Sequence, residues 1–129
     1  MVLSRVHRLR GRFVFDRLYQ KGRRLHGSLM VLRSLPAEPQ LLRPDPRDPD
    51  PRTCRMGVVV SSKVSKRSVR RNQLRRLLHS HLSAAVARQP DRAAGRWLLI
   101  SLKPGSADVS DTALLGECSE LLAKAGLHR

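Results

Sequence analysis

Pro36, Pro39, Pro44, Pro46, Pro49 and Pro51 crowd one short stretch and account for six of the chain's eight prolines. Each lacks a backbone N–H and has a fixed φ, so this stretch can neither carry a helix nor join a hydrogen-bonded ladder. Residues 36–53 are therefore expected to form an exposed, extended loop inserted into the domain. Whatever packs must come from the residues on either side. The chain has 129 residues, 40% of them hydrophobic, which suffices for one small domain with a modest core. Residues 1–129 are read as that single domain. No apolar run approaches the ~18 residues of a membrane span. The N-terminus turns basic at Arg5 and Arg8 and lacks the apolar stretch of a signal peptide. Cys54 and Cys118 stand far apart with no Cys-x-x-Cys or His/Cys cluster, which argues against a zinc ribbon or a disulfide scaffold. A cytoplasmic location fits these observations.

Apolar spacing marks the elements. Residues 12–20 read as a short helix, with Phe15 and Tyr19 one turn apart on one face and Val14 and Leu18 on another. Lys21-Gly22 supplies its stop. Residues 28–35 read as a buried strand, and residues 55–62, with three consecutive valines, as a second. These two strands flank the proline segment and could pair antiparallel. The longest helix starts at Ser65 or Ser68 and runs to Arg88, with Leu74, Leu77, Leu78, Leu82, Ala85 and Val86 on one side. Residues 97–102 form a third strand, stopped at Lys103-Pro104-Gly105. A last amphipathic helix over residues 111–125 uses Leu114, Leu115, Cys118, Leu121 and Leu122, with Gly126 after it. The order helix, strand, strand, helix, strand, helix is that of a small α+β domain.

Charge decides what class of partner such a domain meets. Lysine and arginine number 26 against 10 acids, a formal net charge of +16. Residues 53–88 contain no acid, while Lys63, Lys66, Arg67, Arg70, Arg71, Arg75 and Arg76 fall close together. On the long helix, Asn72, Arg75, Arg76 and His79 occupy a different arc from the leucines. This distribution builds one positive face and calls for a polyanion, nucleic acid first. A membrane surface is the weaker alternative, because the basic helix lacks Trp and Phe anchors.

A protein-based active site is hard to assemble from these residues. No Gly-rich phosphate loop follows a strand, and no Gly-x-Ser-x-Gly elbow is present. Asp16 is the one acid near the basic segments, so no carboxylate pair is available for metal ions or acid–base work. Binding residues are better supplied. Phe15 and Tyr19, set among arginines, suit either a core or a stacking platform for a single strand. Arg33, alone in an apolar strand, is either a solvated strand arginine or a phosphate contact.

The run Ser61-Ser62-Lys63-Val64-Ser65-Lys66-Arg67-Ser68-Val69-Arg70-Arg71-Asn72-Gln73-Leu74-Arg75-Arg76-Leu77-Leu78 resembles the signature of the protein subunit of bacterial ribonuclease P. The flanking features agree in order. Arg8-Leu9 followed by Phe15, Tyr19 and Gly22 is similar to the family's first helix. Arg55-x-Gly57 with its β-branched run, and Trp97-Leu98-Leu99-Ile100 before Lys103-Pro104, are similar to its later strands.

This resemblance implies an αββαβα domain with a three- to four-stranded sheet packed with helices. It also implies a left-handed βαβ crossover, against the general right-handed rule. The implied function is to bind a large catalytic RNA, the two together removing the 5′ leader of precursor tRNA by hydrolysing one phosphodiester bond. The RNA would carry the chemistry with Mg2+ held mainly by its phosphates, and the protein would supply neither catalytic residues nor metal ligands. Contacts to the catalytic RNA map onto Lys66, Arg67, Arg70, Arg71, Asn72, Arg75 and Arg76. A leader-binding cleft maps onto Phe15, Tyr19, Arg33, Ser61, Ser62 and Lys63. The implied partners are the catalytic RNA and precursor tRNA, with no membrane and no obligate protein partner.

Four features depart from the family pattern. Gln73 stands where a second arginine is usual, His79 where another is common, and Arg33 where an aromatic is frequent. The proline insertion is also unusual and is expected to project away from the RNA. Two other classes share the charge. A DNA-binding module would need a helix one tight turn before the basic helix, where residues 58–62 read as strand. A small ribosomal protein would more commonly carry basic extended tails.

Overall fold

The computed structural model describes residue 9 and residues 12–36, 54–88 and 95–127. The elements are α1 (Arg12–Lys21), β1 (Arg23–His26), β2 (Met30–Pro36), β3 (Arg55–Val59), α2 (Ser68–Arg88), β4 (Arg96–Leu102), a 3-10 turn (Ser106–Asp108) and α3 (Asp111–Lys124). Together they make the expected α+β domain. Most of the proline segment, residues 37–53, lies outside the described residues, but Pro36 is the last residue of β2 and pairs with Arg96. Pro36 was expected in the loop. It fits the strand because it stands at its very end, where the missing N–H interrupts nothing further.

One sheet carries the strands in the order β1-β2-β4-β3. β2 and β4 are antiparallel, with Leu32 opposite Ile100. β3 runs parallel to β4, with Val58 opposite Ile100, so α2 is the crossover between them. The strands on either side of the proline segment thus do not pair with each other. β4 inserts between them because its run Trp97-Leu98-Leu99-Ile100 is fully buried and needs cover on both faces and both edges.

Alternation along the strands separates two cores. One face presents Met30, Leu32, Met56, Val58, Leu98, Ile100 and Leu102, packed under Leu74, Leu78, Leu82 and Ala85 of α2 and Leu114, Cys118, Leu121 and Leu122 of α3. Each fully buried leucine contributes roughly 1.5–3 kcal/mol. The opposite face presents Leu35, Trp97 and Leu99 under Leu9, Val14 and Leu18. Leu9 lies against Gly57, where an added Cβ would come within 3.3 Å of both Leu9 Cδ1 and Leu99 Cδ1. The absence of a side chain there lets the N-terminal segment lie flat on the sheet, held by Leu9 N–H donating to the Met56 carbonyl at 3.0 Å.

β1 was not expected from the sequence. Its residues, Arg-Arg-Leu-His, have little strand character, and tertiary contacts stabilise it instead. The Glu117 carboxylate of α3 accepts from the N–H groups of Ser28 and Leu29 at 2.7 and 2.8 Å. Lys103 Nζ donates to the Gly27 carbonyl at 2.6 Å. The β1–β2 turn is therefore fixed from beneath. At its start α3 is capped by Ser110 Oγ, which accepts from Ala113 N–H at 3.1 Å. It ends at Gly126, whose φ of 82° and two closing bonds, to the Ala123 and Leu122 carbonyls from Gly126 and Leu127 N–H, form a Schellman motif.

Candidate nucleic-acid interface

α1 crosses the sheet from β3 to β2. Leu9, just before it, sits over Gly57, while near its end Tyr19 meets Arg33. Helical periodicity gives it two functional sides. Val14 and Leu18 are fully buried, Phe15 is half-buried, and Tyr19 is 46% exposed. The two rings thus form a wall beside the core stripe, with Phe15 packed against the edge of the core and Tyr19 exposed. Beside that wall, the pairing register aligns Val59, Ser101, Val31 and His26 in one row across the sheet. Directly opposed residues share a face. Arg33 bounds this row: its guanidinium lies 4.6 Å from the Tyr19 ring centroid, and Nη1 donates to Ser101 Oγ at 3.2 Å. It is neither a free surface arginine nor a core residue, but a cation held in place by a ring face and a hydroxyl.

Beyond the β3 end of the row, Ser61, Ser62 and Lys63 are exposed on a turn. Val64 anchors that turn by burying its side chain, and its N–H donates to the Ser61 carbonyl at 3.0 Å. Tyr19 and Arg33 thus meet beside the row, Phe15 lies one turn before Tyr19 on α1, and Ser61, Ser62 and Lys63 follow the β3 end of the row in the chain. The turn leads directly into α2.

The basic residues of α2 divide. Arg71 Nη1 donates to the Ser65 carbonyl at 2.9 Å, and Arg75 Nη1 donates to Asn72 Oδ1 at 2.6 Å. Arg75 Nη2 also reaches the Val60 carbonyl at 3.5 Å. Arg71 thus ties the helix start to the preceding turn and Arg75 reaches back to the residue after β3, and each guanidinium keeps further donors of its five for a ligand. Lys66, Arg67, Asn72 and Arg76 are exposed. Arg70 departs from the group. It turns to the opposite flank and donates from Nη2 to the Ala107 carbonyl at 3.1 Å, because successive helical residues point about 100° apart. There it borders an open cavity of about 440 Å³ with Gln73, Arg76, Leu77, Ser80 and Asp111. Its neighbours include an acid, unlike the Arg71 side.

Magnesium takes oxygen ligands in a near-octahedral set, usually including carboxylates. The interface offers cations, hydroxyls and one amide. Among the described residues no group of three or more His, Cys, Asp or Glu could hold a metal ion. Cys54 and Cys118 are both buried, and desolvation pushes each thiol up to about 12. Both are neutral packing residues. Among the described residues no helix is long and apolar enough to cross a membrane.

The family model described as Ribonuclease P matches residues 3–126. The chain belongs to the ribonuclease P protein family. A ribonuclease P protein component from Parasynechococcus marenigrum (strain WH8102) is 54% identical over 127 residues, covering 98% of each chain. One from Synechococcus sp. (strain CC9902) is 50% identical over the full length of both. Family membership assigns the chain to tRNA 5′ processing as the protein component of a ribonucleoprotein. Solved structures agree on the fold. The RNase P protein of Staphylococcus aureus superposes with a TM-score of 0.73 at 15% identity, over 95% of this chain and 98% of that one. That of Thermotoga maritima gives 0.64 at 19% identity, over 91% and 96%.

Proposed function

We propose that this protein binds both the catalytic RNA of ribonuclease P and the single-stranded 5′ leader of precursor tRNA in the cytoplasm, promoting hydrolytic removal of the leader. One observation carries the reading. The cationic start of α2 follows directly on the exposed Ser61–Lys63 turn at the end of β3, and the partly covered margin of the sheet beside α1, here read as a trough, carries the Tyr19 ring on the Arg33 guanidinium. Arg71, Asn72 and Arg75, held by bonds to Ser65, to each other within α2 and to Val60, are preorganised to grip phosphates of a folded RNA. Lys66 and Arg67 extend that cationic surface, while Arg70 and Arg76 stand on the flank that borders the cavity. The trough suits an unpaired strand, because ring stacking and backbone contacts tolerate any base. Phosphodiester hydrolysis itself is assigned to the RNA, with Mg2+ held by RNA phosphates. The protein's contribution is to neutralise phosphate charge where leader and RNA approach each other.

The test is 5′ processing of a precursor tRNA by a cognate ribonuclease P RNA at limiting magnesium, with and without the protein. Stimulated cleavage at the mature 5′ end is expected. Tight RNA binding without stimulation would favour a ribosomal or DNA-binding role instead. In the same system, Arg71→Ala and Arg75→Ala should each weaken binding to the catalytic RNA and lower its salt slope by about one. Unchanged affinity in both variants would remove α2 from the RNA contact.

A further inference from the structure

The flank of α2 that borders the start of α3 carries chemistry that a plain cationic surface does not need. Arg70, Gln73, Leu77 and Ser80 recur at intervals of three or four residues, so they form one stripe along the helix. With Arg76, and with Asp111 from the first turn of α3, they line an open cavity of about 440 Å³. Sites for small organic groups span roughly 300–1,000 Å³. Arg70 is held in place by its bond to the Ala107 carbonyl, and its guanidinium keeps further donors. Leu77 is half-buried and gives the cavity an apolar patch. Among the described residues no ion pair joins Asp111 to Arg70 or Arg76. Opposite charges thus share one cavity while each keeps hydrogen-bonding capacity for a ligand.

The carboxylate decides the class of ligand. Asp111 repels a phosphate, so the cavity is not one more backbone contact. An uncharged nucleobase presents donors and acceptors together. Guanine matches these walls: its O6 and N7 accept from arginine, and its N1–H and N2–H groups donate to a carboxylate. Adenine and cytosine each offer a carboxylate only an exocyclic amine, and uracil only one ring N–H. Guanine alone offers two adjacent N–H groups. Leu77 can cover part of the ring face. Resting on the reading that α2 contacts the catalytic RNA, we propose that this cavity takes an unpaired guanine of that RNA. Arg70 and Arg76 supply donors to its O6 and N7, and Asp111 accepts from its N1–H and N2–H. Both edges are open only on a base released from pairing. The cavity thereby adds base selection to a helix whose other contacts read phosphate alone.

The experiment measures binding of a cognate ribonuclease P RNA to wild type, Asp111→Ala, Asp111→Asn and Arg71→Ala across a salt series. Kethoxal, which modifies N1 and N2 of unpaired guanines, serves as the footprinting probe. The sign of the Asp111 effect separates the readings. On a chain of net charge +16, removing an acid should tighten RNA binding if only the overall field matters. The guanine site requires the reverse. Both Asp111 variants should bind more weakly, Asp111→Ala by about tenfold, the scale of one bidentate base contact. Their salt slopes should stay unchanged, because no phosphate contact is lost. Wild type should shield a guanine from kethoxal, and both variants should re-expose it. Asp111→Asn keeps the side chain's volume at the start of α3, so a loss shared by both variants is not a packing effect. If Arg71→Ala binds weakly while both Asp111 variants bind as well as wild type or better, the guanine site is wrong and the α2 contact stands. If Arg71→Ala binds unchanged, the RNA reading of α2 falls and takes the cavity with it. Weaker binding by the Asp111 variants with no change in guanine protection would overturn guanine as the ligand.

Discussion

On one face of the sheet, seven apolar side chains from β2, β3 and β4 lie under two helices, and each of them is nine-tenths or more buried. On the other, Leu35, Trp97 and Leu99 are sealed under Leu9, Val14 and Leu18, while the neighbouring row is only partly covered: Val31 is buried, Val59 and Ser101 are half-buried and His26 is exposed. Alternate residues of the same strands build both faces. What separates them is the width of the covering layer. Two packed helices span the sheet, whereas one helix of ten residues covers a band of it and leaves a trough along its side. Aromatic and cationic residues, Tyr19 and Arg33, stand along the uncovered margin.

This contrast is broken most severely from the closed face. Leu78→Ala should destabilise the domain by about 2–5 kcal/mol, since Leu78 is fully buried between α2 and the sheet and its loss leaves a cavity. Denaturant unfolding would measure it. A cost below about 1 kcal/mol would mean that this face is loosely packed. The open face should respond in the opposite way. Tyr19→Ala should change stability little, because the ring is 46% exposed. Its effect should fall on affinity for leader-bearing tRNA, by about 1–3 kcal/mol if one base stacks on it, with mature tRNA spared. Equal losses on both substrates would return Tyr19 to a structural role. The smallest effect concerns the two buried thiols. Their folded values stand near 12 against an ordinary 9.0, so the unfolded chain ionises first as pH rises. Their contribution is complete below about pH 9 and is lost progressively towards pH 12. By pH 9.5 the loss should amount to about 1 kcal/mol per thiol or less. A Cys54→Ala, Cys118→Ala variant should therefore show a shallower fall in unfolding midpoint from pH 8 to 10 than the wild type. Identical slopes would mean that both thiols ionise freely in the folded state.

Much of this architecture is legible in the chain because its elements have strong periods. The split of α1 into a Val14/Leu18 side and a Phe15/Tyr19 side follows from helical geometry, as does the leucine stripe of α2. The run from Trp97 to Leu102 reads as a buried strand by its composition. β1 is illegible for the complementary reason. Arg23-Arg24-Leu25-His26 has neither β-branched residues nor an apolar face, and the strand exists because β2 offers a ladder and Glu117, far away in sequence, fastens the turn.

Sequence alone determined the local elements, the acid-free cationic stretch and the family, since each is written in residue spacing or residue identity along a continuous run. Tertiary structure decided the sheet order, with β4 between the two strands that flank the prolines, because burial of β4 on both faces outweighs pairing of those strands. It also sent Arg70 and Arg71, adjacent in the chain, to opposite flanks of α2. A helix turns about 100° per residue, and which backbone carbonyl waits on each side, Ala107 or Ser65, is set only when distant segments have packed.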